Sequence, residues 1–106
     1  MALPTVTVKD LKSLRDQNKP HFLLDVREPG EHEVCRIDGA TLIPLGQLTD
    51  RLAELPKDKP IIVHCHHGGR SAQAVGFLVQ QGFTASNLTG GIAAWSEQVD
   101  PSVPRC

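Results

Sequence analysis

The apolar positions of this 106-residue chain change period repeatedly along its length. Val6–Val8 is a short β-prone piece. Thr7 with Asp10 reads as a helix cap, and Val8, Leu11 and Leu14 then share one helical face. His21–Val26 (HFLLDV) and Pro60–His64 (PIIVH) are compact apolar runs, the second the more buried strand. Thr41–Ile43 is another strand, closed by Pro44. Leu45, Leu48, Leu52 and Leu55 are spaced as one face of a helix that Pro56 ends. Ala72, Val75, Leu78 and Val79 form a helical stripe, with Gly82 at the position of a C-terminal cap. Ser86–Thr89 is a last strand, and Ile92, Trp95 and Val99 face a final helix. The tail from Asp100 to Cys106 is expected to lie extended on the surface. No internal repeat, low-complexity segment or linker interrupts the pattern.

Strands alternating with helices imply βαβ units and a mostly parallel sheet, hence an α/β fold. The length suits one domain over residues 1–106, with a core that needs no staple.

Composition adds mainly exclusions. The net charge is −1, which argues against nucleic acid or an anionic membrane surface as a partner. No run has the length of a membrane span, and no basic segment followed by an apolar run opens the chain. The three cysteines, Cys35, Cys65 and Cys106, are odd in number and scattered, so a disulfide framework is not expected. A cytoplasmic, reducing location follows.

Candidate chemistry concentrates in His64-Cys-His-His-Gly-Gly-Arg-Ser71, the loop between the PIIVH strand and the following helix. Ligands bind at the carboxyl ends of strands in open α/β sheets. Gly68 and Gly69 let backbone N–H groups converge, and the helix adds its own free N–H groups and positive end. That field favours the Cys65 thiolate. Arg70 brings a permanent charge with a fork suited to oxyanions. His66 and His67 would ring the entrance, each partly charged near neutral pH.

Four readings fit these residues. One is a glycine turn around a buried cysteine. A second is a metal site, opposed by adjacent ligands in a tight loop without a distant partner pair. The third is cysteine phosphatase chemistry, and the fourth sulfur transfer. Only four residues separate Cys65 from Arg70. Cysteine phosphatases use a longer loop, and the narrower cradle suits a terminal sulfur better than a phosphoryl group.

Cys65-His-His-Gly-Gly-Arg70-Ser71 resembles the active-site loop of rhodanese (sulfurtransferase) domains. Asp25-Val-Arg27-Glu28 with Glu31, Ile37-Asp-Gly-Ala40 and Ile43-Pro44 resembles their N-terminal signature. Gly82-Phe83 is similar to the turn after their active-site helix, and Leu88-Thr-Gly-Gly91-Ile92 through Trp95 to their C-terminal signature. The loop and tail also resemble rhodanese domains fused to ubiquitin-activating-like adenylyltransferases. The resemblance implies a central five-stranded parallel sheet with helices on both faces, and a strand ending at Asp25 beside the strand ending at Cys65. It implies that Cys65 takes a sulfur from a donor such as thiosulfate, holds it as a persulfide among His66, His67, Gly68, Gly69, Arg70 and Ser71, and passes it to cyanide, a thiol or a protein. No cofactor and no metal is called for. A cysteine desulfurase or sulfur-carrier protein is a possible partner.

The alternatives are a persulfide carrier loaded by a partner enzyme, a small cysteine phosphatase or arsenate reductase, and a silent interaction domain. The chain departs from the family pattern at Arg36, where many members have histidine, and at His66 and His67, since many thiosulfate-active members carry a basic residue directly after the cysteine.

Outside the loop, Asp25 is expected either to brace the cradle or to cap its strand. Arg27 either contributes charge to the pocket or pairs with a carboxylate such as Glu31. Cys35 reads as core rather than as a resolving thiol, Cys106 as an exposed thiol, and Trp95 as core. Gly90 and Gly91 read as a tight turn before the last helix that could also line the pocket mouth.

Overall fold

The computed structural model describes residues 3–104. The elements follow in chain order: β1 (Thr5–Val6), α1 (Val8–Asp16), β2 (Phe22–Asp25), α2 (Pro29–Val34), β3 (Thr41–Leu42), β4 (Ile61–His64), α3 (Gly69–Gln80), β5 (Ala85–Leu88) and α4 (Gly91–Gln98). All strand pairings are parallel, in the order β1-β5-β4-β2-β3.

Side-chain alternation in the central strands divides the core in two. Leu24, Ile61 and Val63 face α3, meeting Ala74, Val75 and Leu78. Leu23 and Ile62 face α1 and α4, meeting Val8, Leu11, Ile92 and Trp95. Helices thus cover both faces of the five-stranded sheet. Each fully buried Leu, Ile or Val contributes roughly 1.5–3 kcal/mol, so the two stripes carry most of the fold.

Local signals place several boundaries as expected. α1 starts with a capping box: Asp10 N–H donates to the Thr7 hydroxyl at 3.0 Å and Thr7 N–H to the Asp10 carboxylate at 2.9 Å. Gly82 has φ +89° just beyond α3, a conformation that glycine adopts at little cost.

Three expectations are corrected and one element is unforeseen. Val8 begins α1 and is not part of β1. The Leu45–Leu55 stripe forms two 3₁₀ segments, Leu45–Gln47 and Thr49–Glu54, kinked at Arg51 (φ −119°). Leu48 and Leu55 are still buried, so the stripe was read correctly and its helix type was not. α2 has no apolar stripe and no buried residue, and was invisible to periodicity. The tail turns back rather than extending: Val103 joins the α1–α4 core, and Ser96 donates to the Val103 carbonyl at 2.5 Å.

Candidate active site

β4 ends at His64, and its pairing with β2 sets Asp25 level with His64. Cys65 therefore emerges at the carboxyl edge of the sheet. Its side chain is buried, 2% exposed, on the α3 side of the core. Gly68 takes φ +126°, a value side chains rarely tolerate, and this turn brings its N–H to 3.1 Å from Cys65 Sγ. The Ser71 hydroxyl lies 3.3 Å from the same sulfur. Burial pushes the thiol pKa up. The Ser71 hydroxyl and the backbone N–H groups of Ser71, Gly68 and Arg70 outweigh it and hold the thiol below its ordinary value. Backbone donors at the turn into α3 and its first residues are thus gathered on the sulfur.

The loop is held from behind by α4. Ile92 N–H donates to the Cys65 carbonyl at 3.0 Å and Ala93 N–H to the His66 carbonyl at 3.1 Å. These contacts require Gly91 (φ +59°): a β-carbon there would lie 2.6 Å from the Cys65 oxygen and 2.5 Å from the His66 oxygen. Gly91 therefore serves both as the turn before α4 and as the surface on which the loop's backbone rests.

Arg70 is placed differently from the sequence expectation. Its guanidinium forks onto the Glu31 carboxylate of α2, at 2.6 and 2.9 Å, so the fork is filled from within the chain. The Arg70 side-chain bond pulls the Glu31 pKa down to about 2, against a smaller burial penalty. What Arg70 offers the sulfur is its backbone N–H and its net charge.

Asp25 and Arg27 form a second, wholly buried constellation. Asp25 accepts from Arg27 N at 3.0 Å, Nε at 3.0 Å and the guanidinium at 2.8 Å, and pairs with His32 Nδ1 at 2.9 Å. Arg27 also donates to the Cys35 carbonyl at 2.6 Å. Arg27 thus pairs with Asp25, not with Glu31. Burial raises the Asp25 pKa, and the bonds from Arg27 and His32 outweigh it and bring it below its ordinary value. Asp25 braces β2 against α2 and its hydrogen bonds do not reach the Cys65 loop. His64 is fully buried; burial lowers its pKa, its Nδ1 lies 3.3 Å from the Cys65 carbonyl, and its Nε2 has no hydrogen-bond partner among the described residues.

The histidine pair stays at the surface. His66 is half-buried and His67 exposed, with their rings edge to face at 4.1 Å. Burial, then the neighbouring His67 and Arg27 charges, lower the His66 pKa. His66 is therefore largely neutral at neutral pH. Among the described residues, no three His, Cys, Asp or Glu side chains converge on a point that could hold a metal ion.

Residues 7–98 match the rhodanese-like domain family. The chain belongs to that family. A sulfurtransferase from Allochromatium vinosum is 39% identical over 83 residues, covering 77% of this chain and 78% of that protein. The probable adenylyltransferase/sulfurtransferase MoeZ of Mycobacterium tuberculosis is 38% identical over 102 residues, covering 93% of this chain and 26% of that protein. The chain thus spans about a quarter of the length of such fused relatives. Among solved structures, a rhodanese-related protein from Thermoplasma volcanium superimposes with a TM-score of 0.83 at 36% identity, covering 97% of this chain and 99% of that one.

Two residues that sequence reasoning left out of the site touch the loop of this rhodanese-like domain. The sequence marks Glu31 as part of the N-terminal signature and as a partner for Arg27, not as the partner of Arg70. Asn87 of β5 donates to the Gly68 carbonyl at 3.2 Å and accepts from Ser71 at 2.5 Å, and was read merely as strand. The polar pair Ser86-Asn87 inside a short strand was the available signal. Cys35 is in the core as expected, but it is disulfide-bonded, which corrects the expectation of thiols alone and removes that support for a reducing location. Cys106 lies outside the described residues. No described helix is long and apolar enough to cross a membrane.

Proposed function

We propose that this rhodanese-like domain is a sulfurtransferase working through a Cys65 persulfide. The Cys65 thiolate attacks the outer sulfur of a donor such as thiosulfate. A bond forms between the two sulfurs, the donor's sulfur–sulfur bond breaks, and sulfite leaves with that electron pair. The terminal sulfur then rests among the loop N–H groups until a thiophilic acceptor (cyanide, a thiol or a protein) takes it. His66, His67, Gly68, Gly69, Arg70 and Ser71 form the binding loop, with Asp25 and Arg27 supporting it at a distance. The observation that carries this reading is the convergence of the Gly68, Arg70 and Ser71 N–H groups on one buried sulfur. Names of relatives such as the Allochromatium vinosum sulfurtransferase agree with it.

A second reading is favoured by a specific feature. The Arg70 fork is occupied by Glu31 and His66 is held neutral, so little free positive charge meets a dianionic donor. The domain would then act as a persulfide carrier, loaded by a partner such as a cysteine desulfurase. The pairing of adenylyltransferase and sulfurtransferase in the names of the fused relatives supports an acceptor that an adenylyltransferase handles.

Intact mass after thiosulfate treatment tests the persulfide itself. Gain of one sulfur atom, reversed by cyanide and absent in Cys65→Ser, is the expected result. Thiosulfate:cyanide turnover separates the two readings: poor turnover with efficient loading from a desulfurase makes the domain a carrier. Hydrolysis of an aryl phosphate without sulfur uptake would replace both readings with a phosphatase.

A further inference from the structure

Ser71 stands between two groups that compete for one hydroxyl proton. The orientation of Asn87 decides which of them has it. The Gly68 carbonyl can only accept, so the Asn87 atom facing it at 3.2 Å is the amide nitrogen. Asn87 Oδ1 consequently faces Ser71, and it too can only accept. The Ser71 hydroxyl therefore donates to Asn87, at 2.5 Å. Having spent its single proton there, the hydroxyl can meet Cys65 Sγ, 3.3 Å away, only as an acceptor. That arrangement suits a sulfur that carries its own proton. A thiolate needs the reverse: the hydroxyl must turn to the sulfur, and Asn87 Oδ1 loses its donor in a half-buried position.

We propose that Asn87 is a positioning residue for the reactive sulfur: it draws the Ser71 proton away from Cys65, favours the protonated thiol, and couples thiolate formation to a rotation of the Ser71 hydroxyl. The idea rests on the reading of Cys65 as the reactive group. When the thiol ionises its proton passes to solvent. The Ser71 proton then moves from Asn87 to the sulfur by rotation about the Cβ–Oγ bond, with no other bond made or broken.

Among charged groups Arg70, at the start of α3, acts on this sulfur; on the elements around the loop stand Glu31 and His32 of α2, Asp25 and Arg27 at and just after β2, His64 of β4, and His66 and His67 in the loop itself. β5 supplies none, since its residues are Ala85, Ser86, Asn87 and Leu88. An uncharged substitution at Asn87 thus leaves those charges in place; it also removes the bond to the Gly68 carbonyl, and the Ser71→Ala background separates that loss from the competition for the proton.

The test is the pH dependence of Cys65 alkylation by iodoacetamide in the full chain, read by mass on the peptide that contains Cys65. Asn87→Ala should move the midpoint down by about half to one pH unit, the effect of one neutral hydrogen bond redirected to the thiolate. Ser71→Ala should move it up. In the Ser71→Ala background, Asn87→Ala should no longer move it down, because the route through the hydroxyl is gone. An Asn87→Ala midpoint that stays put or rises, or an equal downward shift in both backgrounds, would overturn the proposal.

Asn87→Leu repeats the test with the side-chain volume kept, should the smaller residue prevent folding. The unmutated protein gives a further check. Its Cys65 S–H infrared band, isolated by difference against Cys65→Ser, should lie at the lowered frequency of a donating thiol and rise in Ser71→Ala. A band already at the free-thiol frequency would overturn the proposal. These readouts need no sulfur donor, so failure to form a persulfide would be recognised separately.

Discussion

Gly91 rests directly against the carbonyl of Cys65, so that a β-carbon on Gly91 would come within 2.6 Å of that oxygen. The neighbouring N–H of Ile92 bonds to the same carbonyl. The loop's carbonyls are thereby engaged by α4, while its N–H groups turn to the sulfur. Gly91→Ala should disrupt this by contact and by its positive φ. A loss of about 1–3 kcal/mol in a urea melt is expected, with slower persulfide loading in the remaining folded protein. Unchanged stability and loading would show that α4 does not shape the loop.

Asp25 and Arg27 should matter to stability far more than to chemistry. Asp25→Asn removes the carboxylate that pairs with the buried Arg27, and about 3–5 kcal/mol of destabilisation is expected in a urea melt. Replacing both by apolar residues should cost less than the two single changes together. An additive pair would mean that the buried salt bridge does not act as a unit.

The Arg70–Glu31 pair makes a signed pH prediction. The Glu31 pKa is lower in the folded protein, about 2 against 4.5 for the unperturbed group. Its stabilisation is therefore complete above pH 4.5 and is lost as pH falls toward 2. Both side chains are over a third exposed, so water screens the pair, and about 1 kcal/mol is expected. Denaturation of Glu31→Gln should be less pH-dependent than that of the unmutated protein over this range. Equal slopes would remove Glu31 from the acid response.

His66 should limit loading by an anionic donor. Its pKa lies below the ordinary histidine value, so it gains charge only at pH below that value. His66→Lys places a permanent charge at the entrance, and the thiosulfate loading rate at pH 7 should rise severalfold, to roughly tenfold. The gain should shrink in high salt. A rate unaffected by the lysine would place the donor's approach elsewhere.

The parts of the fold that were legible in sequence are those with a local cause. The PIIVH strand, the Thr7–Asp10 cap and the stripe of α3 each follow from residues a few positions apart. The Leu45–Leu55 stripe shows the limit: it marks the buried face but not the helix type, because 3₁₀ and α segments can both bury leucines at such spacing. α2 escaped notice because its placement rests on polar contacts, with Glu31 reaching Arg70 and His32 reaching Asp25.

By itself, then, the sequence determined the alternation of strands and helices, the cysteine at a strand's carboxyl end, and the glycines that let N–H groups gather around it. It also carried enough ordered motif to mark the family. The tertiary structure decided which charges and hydrogen-bonding groups meet. Arg70 could have faced a ligand, yet α2 presents Glu31 to it from 39 positions away. Arg27 could have taken Glu31, yet Asp25 is nearer on the same strand end. Asn87 joins Ser71 because β5 lies beside β4 in the sheet. Backbone conformation is settled by neighbours in sequence, whereas a polar side chain finds its partner among whatever the packed elements bring within about 3 Å, the reach of a hydrogen bond.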